Sequence, residues 1–354
     1  MLRAILLGLA LAACTAAPPA ITSPTPSPTR EPGTYAVTAL LDLSGPRGPR
    51  GDAQRDAMLR WTDAQRGTPR VKLRIVDVAG SDARLLLELK RASDAGDTDA
   101  FVIGVPATVD DALVAAIALV KRPVLFTLPI AAPSGDGARW MFGLAPAPDA
   151  IARAFLAALP VRSTPAVVVT SGTLAAGREE LALAAAFAAD GRPTPFVLSA
   201  APEQRDTFAP RLRPFLSGGT ALFFTGPVGS YLEPQRAIPT IETPGPLLFL
   251  SYLADANDLS RLGDAAAAAR WPGLRGATGA GLATHAATAT DALALLAASA
   301  DPAGDAERTR TRLEDGTFAG IATTYSFSAA RHLGVDPREI ALQAWESGHA
   351  VIAR

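Results

Sequence analysis

Cysteine is nearly absent: Cys14 is the single one in 354 residues, so no intramolecular disulfide can form and packing alone must hold the fold. Histidine is almost as scarce. His285, His332 and His349 lie far apart in sequence, without cysteines or paired carboxylates at ligand spacing, which argues against a metal centre. Aromatic residues make up 6 % of the chain, so the core must be filled mainly by Ala, Leu and Val; 49 % hydrophobic residues can supply it. Neither sign of charge dominates. The 33 basic and 34 acidic side chains leave a net −1 without blocks, and no basic stripe marks a surface for nucleic acid or anionic lipid. Ser171-Gly172 lacks the flanks of a nucleophile elbow, and Gly276–Gly281 has the wrong glycine spacing for a dinucleotide loop. No enzyme constellation emerges, and no cofactor is expected.

What is present begins at the N-terminus. Arg3 precedes an apolar run of about ten residues, Ala4 to Ala13, and then Cys14. A membrane span needs about 20 apolar residues, so this run is too short to remain as one. The tetrad Leu11-Ala12-Ala13-Cys14 resembles the bacterial lipobox. That resemblance implies a signal peptide over 1–13, lipid attachment at Cys14 and a place on the periplasmic or extracellular face of the cell envelope. An ordinary secretory signal with an incidental Cys14 is the competing assignment. Residues 14–33 follow as a linker dense in Pro, Ser and Thr, which favours an extended, polyproline-like spacer.

From residue 34 onward the chain is long enough for two lobes. Strand-like runs at Tyr35–Leu41, Val71–Val76, Ala100–Ile103 and Val124–Thr127 alternate with helical patterns at Asp52–Gln65, Arg84–Ala95 and Asp110–Leu119. This alternation predicts a parallel sheet with helices on both faces. After a Pro- and Gly-rich break at 129–148 the pattern restarts, with strands at Ala166–Thr170, Pro195–Leu198, Ala221–Phe224 and Leu247–Leu250. A variable region runs to Gly281. A helix is predicted over Thr288–Ala300 and another over Asp305–Leu313, with strands near Thr323–Phe327 and Ile340–Ser347.

Several strings in this order resemble the type I periplasmic binding proteins of the leucine/isoleucine/valine-binding class, receptors of branched-chain amino-acid ABC importers. They are Leu43-Ser44-Gly45-Pro46 with Gly51, Val102-Ile103-Gly104, Pro123–Phe126 running into Pro129–Pro133, and Phe142–Pro146 with Asp149. Asp291-Ala292, Phe318–Ile321, Tyr325–Phe327 and Ala344–Gly348 complete the set. The resemblance covers roughly Tyr35 to Ile352. It implies an α/β fold of two doubly wound parallel-sheet lobes joined by three crossover segments. One lobe would comprise 34–145 plus 252–321, the other 146–251 plus 322–354. The implied role is a monomeric lipoprotein, tethered only by its lipid, that delivers an amino-acid-like solute or an apolar acid or amide to an ABC permease. A ligand-sensing or scaffold lipoprotein of the same fold is the alternative.

Ser44, just past the first strand, is a candidate ligand contact; a turn residue bonding its own backbone is an equal reading. Thr108, between a strand and a helix, is the leading candidate for a ligand carboxylate, with a plain N-cap as its rival. The resemblance adds Ala131 and Ala132 as backbone contacts, with the family's hydroxyl missing at Ala132, and Tyr252 and Asp255 in the stretch where it expects an acid. Asp255 would pair with a substrate ammonium only if the register slips by two residues. Ala176 and Pro227 stand where the family carries aromatics.

Overall fold

The computed structural model describes residues 33–45, 48–66, 69–216, 219–226, 246–254, 265–280, 283–346 and 349–353. The signal segment, Cys14, nearly all of the linker, Pro227 and Asp255 lie outside the described residues.

The first sheet has five parallel strands in the order β2-β1-β3-β4-β5. These are β1 (Thr34–Leu41), β2 (Arg70–Asp77), β3 (Ala100–Ile103), β4 (Val124–Phe126) and β5 (Met141–Gly143). Period-two side-chain direction divides its core. Val37, Ala39, Leu41, Val102 and Phe142 pack against Met58 of α1 (Gly48–Ala64) and Leu293 and Leu296 of α7 (Thr284–Ser299). On the other face, Leu40, Phe101, Ile103 and Phe126 meet Leu85 and Leu89 of α2 (Asp82–Ala95) and Ile117 of α3 (Asp111–Val120). Strands covered on both faces read as short continuous apolar runs, which is how β3 and β4 appear in the sequence.

The second sheet has seven strands, β14-β13-β10-β9-β8-β6-β7. β6 (Ala166–Thr170), β7 (Phe196–Ser199), β8 (Ala221–Thr225), β9 (Leu247–Leu250) and β10 (Ala269–Leu274) are parallel. β13 (Ile340–Glu346) and β14 (His349–Ile352) close it antiparallel. Phe223 and Phe249 stack at 4.9 Å and hold Phe155 of α4 (Pro148–Ala157) and, through Phe223, Phe187 of α5 (Leu174–Ala189). The opposite face receives Phe208 and Leu212 of α6 (Arg205–Leu212). A hairpin of β11 (Thr317–Ala319) and β12 (Thr324–Ser326) follows α8 (Ala306–Glu314).

Three passages join the lobes, after β5, after β10 and before β13. Two boundaries differ from those expected. β10, placed with the first lobe at 252–321, hydrogen-bonds to β9 and β13 and so belongs to the second sheet. Tyr325, Phe327 and Val335, placed with the second lobe at 322–354, are buried in the first lobe's core. The returning chain therefore crosses after Leu274 and again after Val335, each about one element later than predicted.

α1 also begins four residues early, at Gly48. Proline is tolerated in a first turn, and Gly51 lets the helix lie on the preceding loop: a Cβ there would stand 1.7 Å from the Asp42 carbonyl oxygen. This placement aims Arg50 at the second lobe.

Candidate functional site

Residues past the carboxyl ends of β1 and β3 touch residues past the ends of β6 and β9, the position where open α/β sheets bind ligands. Arg50, 4 % exposed, donates from Nη1 to the Leu253 carbonyl at 2.9 Å. In return Arg178, on α5, donates to the Ala107 carbonyl of the first lobe. Each lobe thus lends one arginine to the other's main chain.

Around Arg50 lies an enclosed polar cluster. Glu179 accepts from the Ser251 hydroxyl at 2.6 Å and from the Gly226 N–H at 2.9 Å. Burial pushes its carboxyl up to about 7, against the pull of those two donors and of the Arg50 charge. Tyr252 and His285 meet edge to face, centroids 5.5 Å apart. Burial raises the Tyr252 hydroxyl above its ordinary range. His285 is pushed down to about 3 by burial and then by Arg50, with the Ala254 carbonyl opposing. Neither the Tyr252 hydroxyl nor either His285 nitrogen reaches a partner at hydrogen-bond geometry among the described residues. Beneath them Gln54 bonds the Gly104 carbonyl and receives the Thr127 hydroxyl at 2.6 Å. Gly104 leaves room for both side chains: a Cβ would stand 2.4 Å from Leu41 Cδ2 and 2.5 Å from Gln54 Oε1.

Most of this cluster is buried, Glu179 only partly. The open space lies beside it, against the crossovers, as a cavity of about 840 Å³. Ala131, Ala132 and Pro133 form one wall, with Pro146 and Ala147 of the first passage behind them. Leu181 and Ala182 of α5, with Leu333 and Val335, add to the apolar lining. Arg139, Arg153, Arg178 and Arg331 border the space. His332 also lines it but is held in place: Nδ1 approaches the Ala138 and Met141 carbonyls, Nε2 the Glu314 carboxylate at 3.0 Å, and its ring stacks on Phe142. Among the described residues no His/Cys/Asp/Glu group could hold a metal ion, and no helix is long and apolar enough to cross a membrane.

The residues predicted from sequence do not all converge. Ala131 and Ala132 line the cavity. Thr108 turns its hydroxyl to Asp82 at 3.3 Å, and its proposed N-cap role falls to Asp110, which accepts from the Leu113 N–H at 2.9 Å. Ser44 is exposed and bonds Asp77; burial works upward on that carboxyl, but the Leu43, Ser44 and Ala79 donors hold it below its ordinary range. Tyr252 is buried in the polar cluster rather than on the cavity wall. Asp255 is outside the described residues. Ala176, at a family aromatic position, is fully buried, and a Cβ on Gly226 would come within 2.8 Å of its own. Arg50, Arg178, Glu179 and His285 went unrecognised as site residues. One signal was available: Arg178-Glu179-Glu180 places three adjacent charges in an otherwise alanine-rich helix.

No protein-family model and no curated protein matches the chain. Solved structures do. An extracellular ligand-binding receptor from Rhodopseudomonas palustris HaA2 superposes with a TM-score of 0.74 at 15 % identity, over 91 % of this chain and 100 % of its own. A possible leucine/isoleucine/valine-binding protein from Rhodopirellula baltica SH 1 gives 0.74 at 14 %, over 94 % and 98 %. An ABC transporter solute-binding protein from R. palustris, in complex with 4-hydroxybenzoate, gives 0.73 at 13 %, over 91 % and 96 %. The chain has the type I periplasmic binding-protein fold.

Proposed function

We propose that this chain is an extracytoplasmic receptor that captures a small organic solute between its lobes and presents it to the permease of an ABC importer. The observation that carries the reading is the cavity of about 840 Å³, walled by both lobes and by the passages joining them. Small-molecule sites fall in the range of about 300–1,000 Å³ and favour such junctions. Hinge closure about short connecting segments is the motion this architecture supports. The structural neighbours that bind solutes, one in an ABC system, point the same way. The lipobox-like tetrad ending at Cys14 supplies the tether, and residues 14–33 the spacer.

Thermal denaturation of the full chain against amino acids, short amides, aromatic acids and aliphatic acids tests the reading. A solute at 100 times its Kd raises stability by about 2.7 kcal/mol; no shift across the panel would contradict capture. A second reading, a sensor or scaffold lipoprotein without transport, draws on the missing aromatic at Ala176, which is fully buried close to Gly226. It predicts retention of a protein partner other than a permease on the immobilised chain.

A further inference from the structure

We infer that the captured solute is an organic anion with an apolar body, its oxyanion held by Arg178 and Arg331 across the cavity; this rests on the receptor reading above. Four arginines border the cavity against one acidic residue, Asp149, among the described lining residues. Two of the four are already matched. Arg153 pairs with Asp149 at 2.7 Å, and Arg139 with Glu307 at 2.7 Å. Arg178 and Arg331 have no ion pair among the described residues, and each donates to a main-chain carbonyl, of Ala107 and Ser326 respectively. A guanidinium has five N–H donors, so both retain capacity. Arg178 Nη2 is enclosed and lacks a partner among the described residues. Asp82 and Asp110 stand near enough to offset part of the cost of burying that charge, but neither lines the cavity.

The two arginines come from different parts of the fold. Arg178 lies on α5 of the second lobe, and Arg331 belongs to the segment that bridges to β5 of the first through Gly143 and Leu333. An oxyanion between them would make charge-assisted bonds to both lobes at once and so favour closure. The remaining walls are Ala, Pro, Leu and Val, which suit an apolar body. An α-amino acid fits poorly. Its ammonium would find only Asp149, already committed to Arg153, and a desolvated cation without a counter-charge is costly.

Calorimetric titration of the full chain with two matched pairs, benzoate against benzamide and octanoate against octanamide, and with leucine, tests this. At least one carboxylate should bind about tenfold or more tightly than its amide, as loss of a charge-assisted bond implies. Arg331→Gln, an exposed change, should weaken carboxylate binding about tenfold and leave the amide unaffected, and Arg178→Gln, which also loses the bond to the Ala107 carbonyl, should weaken the carboxylate about tenfold more than the amide. Ala131→Trp, which puts an indole on the cavity wall, should weaken carboxylate binding while the circular dichroism spectrum stays unchanged. Amide or leucine binding as tight as carboxylate overturns the anion assignment and leaves the receptor reading standing. Unchanged benzoate or octanoate binding in all three variants overturns the location. If neither carboxylate binds, the inference fails; if the wider thermal panel is also flat, the receptor reading fails with it.

Discussion

Arg50, on the first helix of one lobe, donates its Nη1 to the carbonyl of Leu253 at the cleft edge of the other, 2.9 Å away and buried. The contact is reciprocated by Arg178 and Ala107, so the two lobes are joined by more than the three passages of chain. Arg50→Met removes the donor and leaves the Leu253 carbonyl enclosed. A cost of about 1–3 kcal/mol in urea unfolding is expected, with a larger radius of gyration in small-angle scattering as the lobes part. Wild-type values for both would show that the contact does not hold the cleft.

The groups around Arg50 impose a pH signature. Glu179 moves from an ordinary 4.5 to about 7. Between those values the folded chain holds a proton that the unfolded chain has released, so this group's stability is full below pH 4.5 and is lost as pH rises through 7. His285 moves from 6.5 to about 3. Its contribution is present above pH 6.5 and lost as pH falls toward 3. Together they predict a plateau between pH 4.5 and 6.5 with losses on both sides. Glu179→Gln should gain on wild type by up to about 3 kcal/mol between pH 5 and pH 8. Denaturant melts across that window giving a constant difference would refute it.

Asp291 fixes α7 to the hairpin that follows. Its carboxylate accepts from the Ile321 and Ala322 N–H groups at 2.7 and 2.8 Å and from the Tyr325 hydroxyl at 3.0 Å. Burial raises its pKa and those three donors lower it, with burial prevailing. Asp291→Ala strands all three donors, two of them on the backbone. The expected loss is about 3 kcal/mol or more by chemical denaturation. A loss under about 1 kcal/mol would show that the hairpin is held by packing alone.

The proposed tether has its own test. Labelled palmitate should enter the wild-type chain in a bacterial host and should not enter Cys14→Ala. The variant should move from the membrane fraction to the soluble envelope fraction. Equal labelling of both, or unchanged membrane association, would point to an incidental cysteine.

Much of the fold was legible because its strands are short continuous apolar runs between helical patterns, as at Phe101–Ile103 and Val124–Phe126. Asp291 and the later Ile321 and Tyr325, 30 and 34 positions on, meet in one hydrogen-bonded cluster. β10 was hidden by Pro272 and Gly273, residues that argue against a strand; Pro272 lies beyond the short ladder to β9, which ends at Arg270. The site was less legible. Arg50 and Leu253 stand 203 positions apart, and no local pattern distinguishes a surface arginine from one aimed across a cleft. Thr108 matched by position in the chain, yet a neighbouring carboxylate, Asp82, claims its hydroxyl.

Hydrogen exchange of the full chain, with and without a saturating amount of whichever solute raises its thermal midpoint, addresses capture between the lobes most directly. Protection should rise together at 131–133 and 329–335 of the first lobe, at the 146–150 passage and at 178–182 of the second. Protection confined to one lobe, or lying away from these four segments, would contradict it.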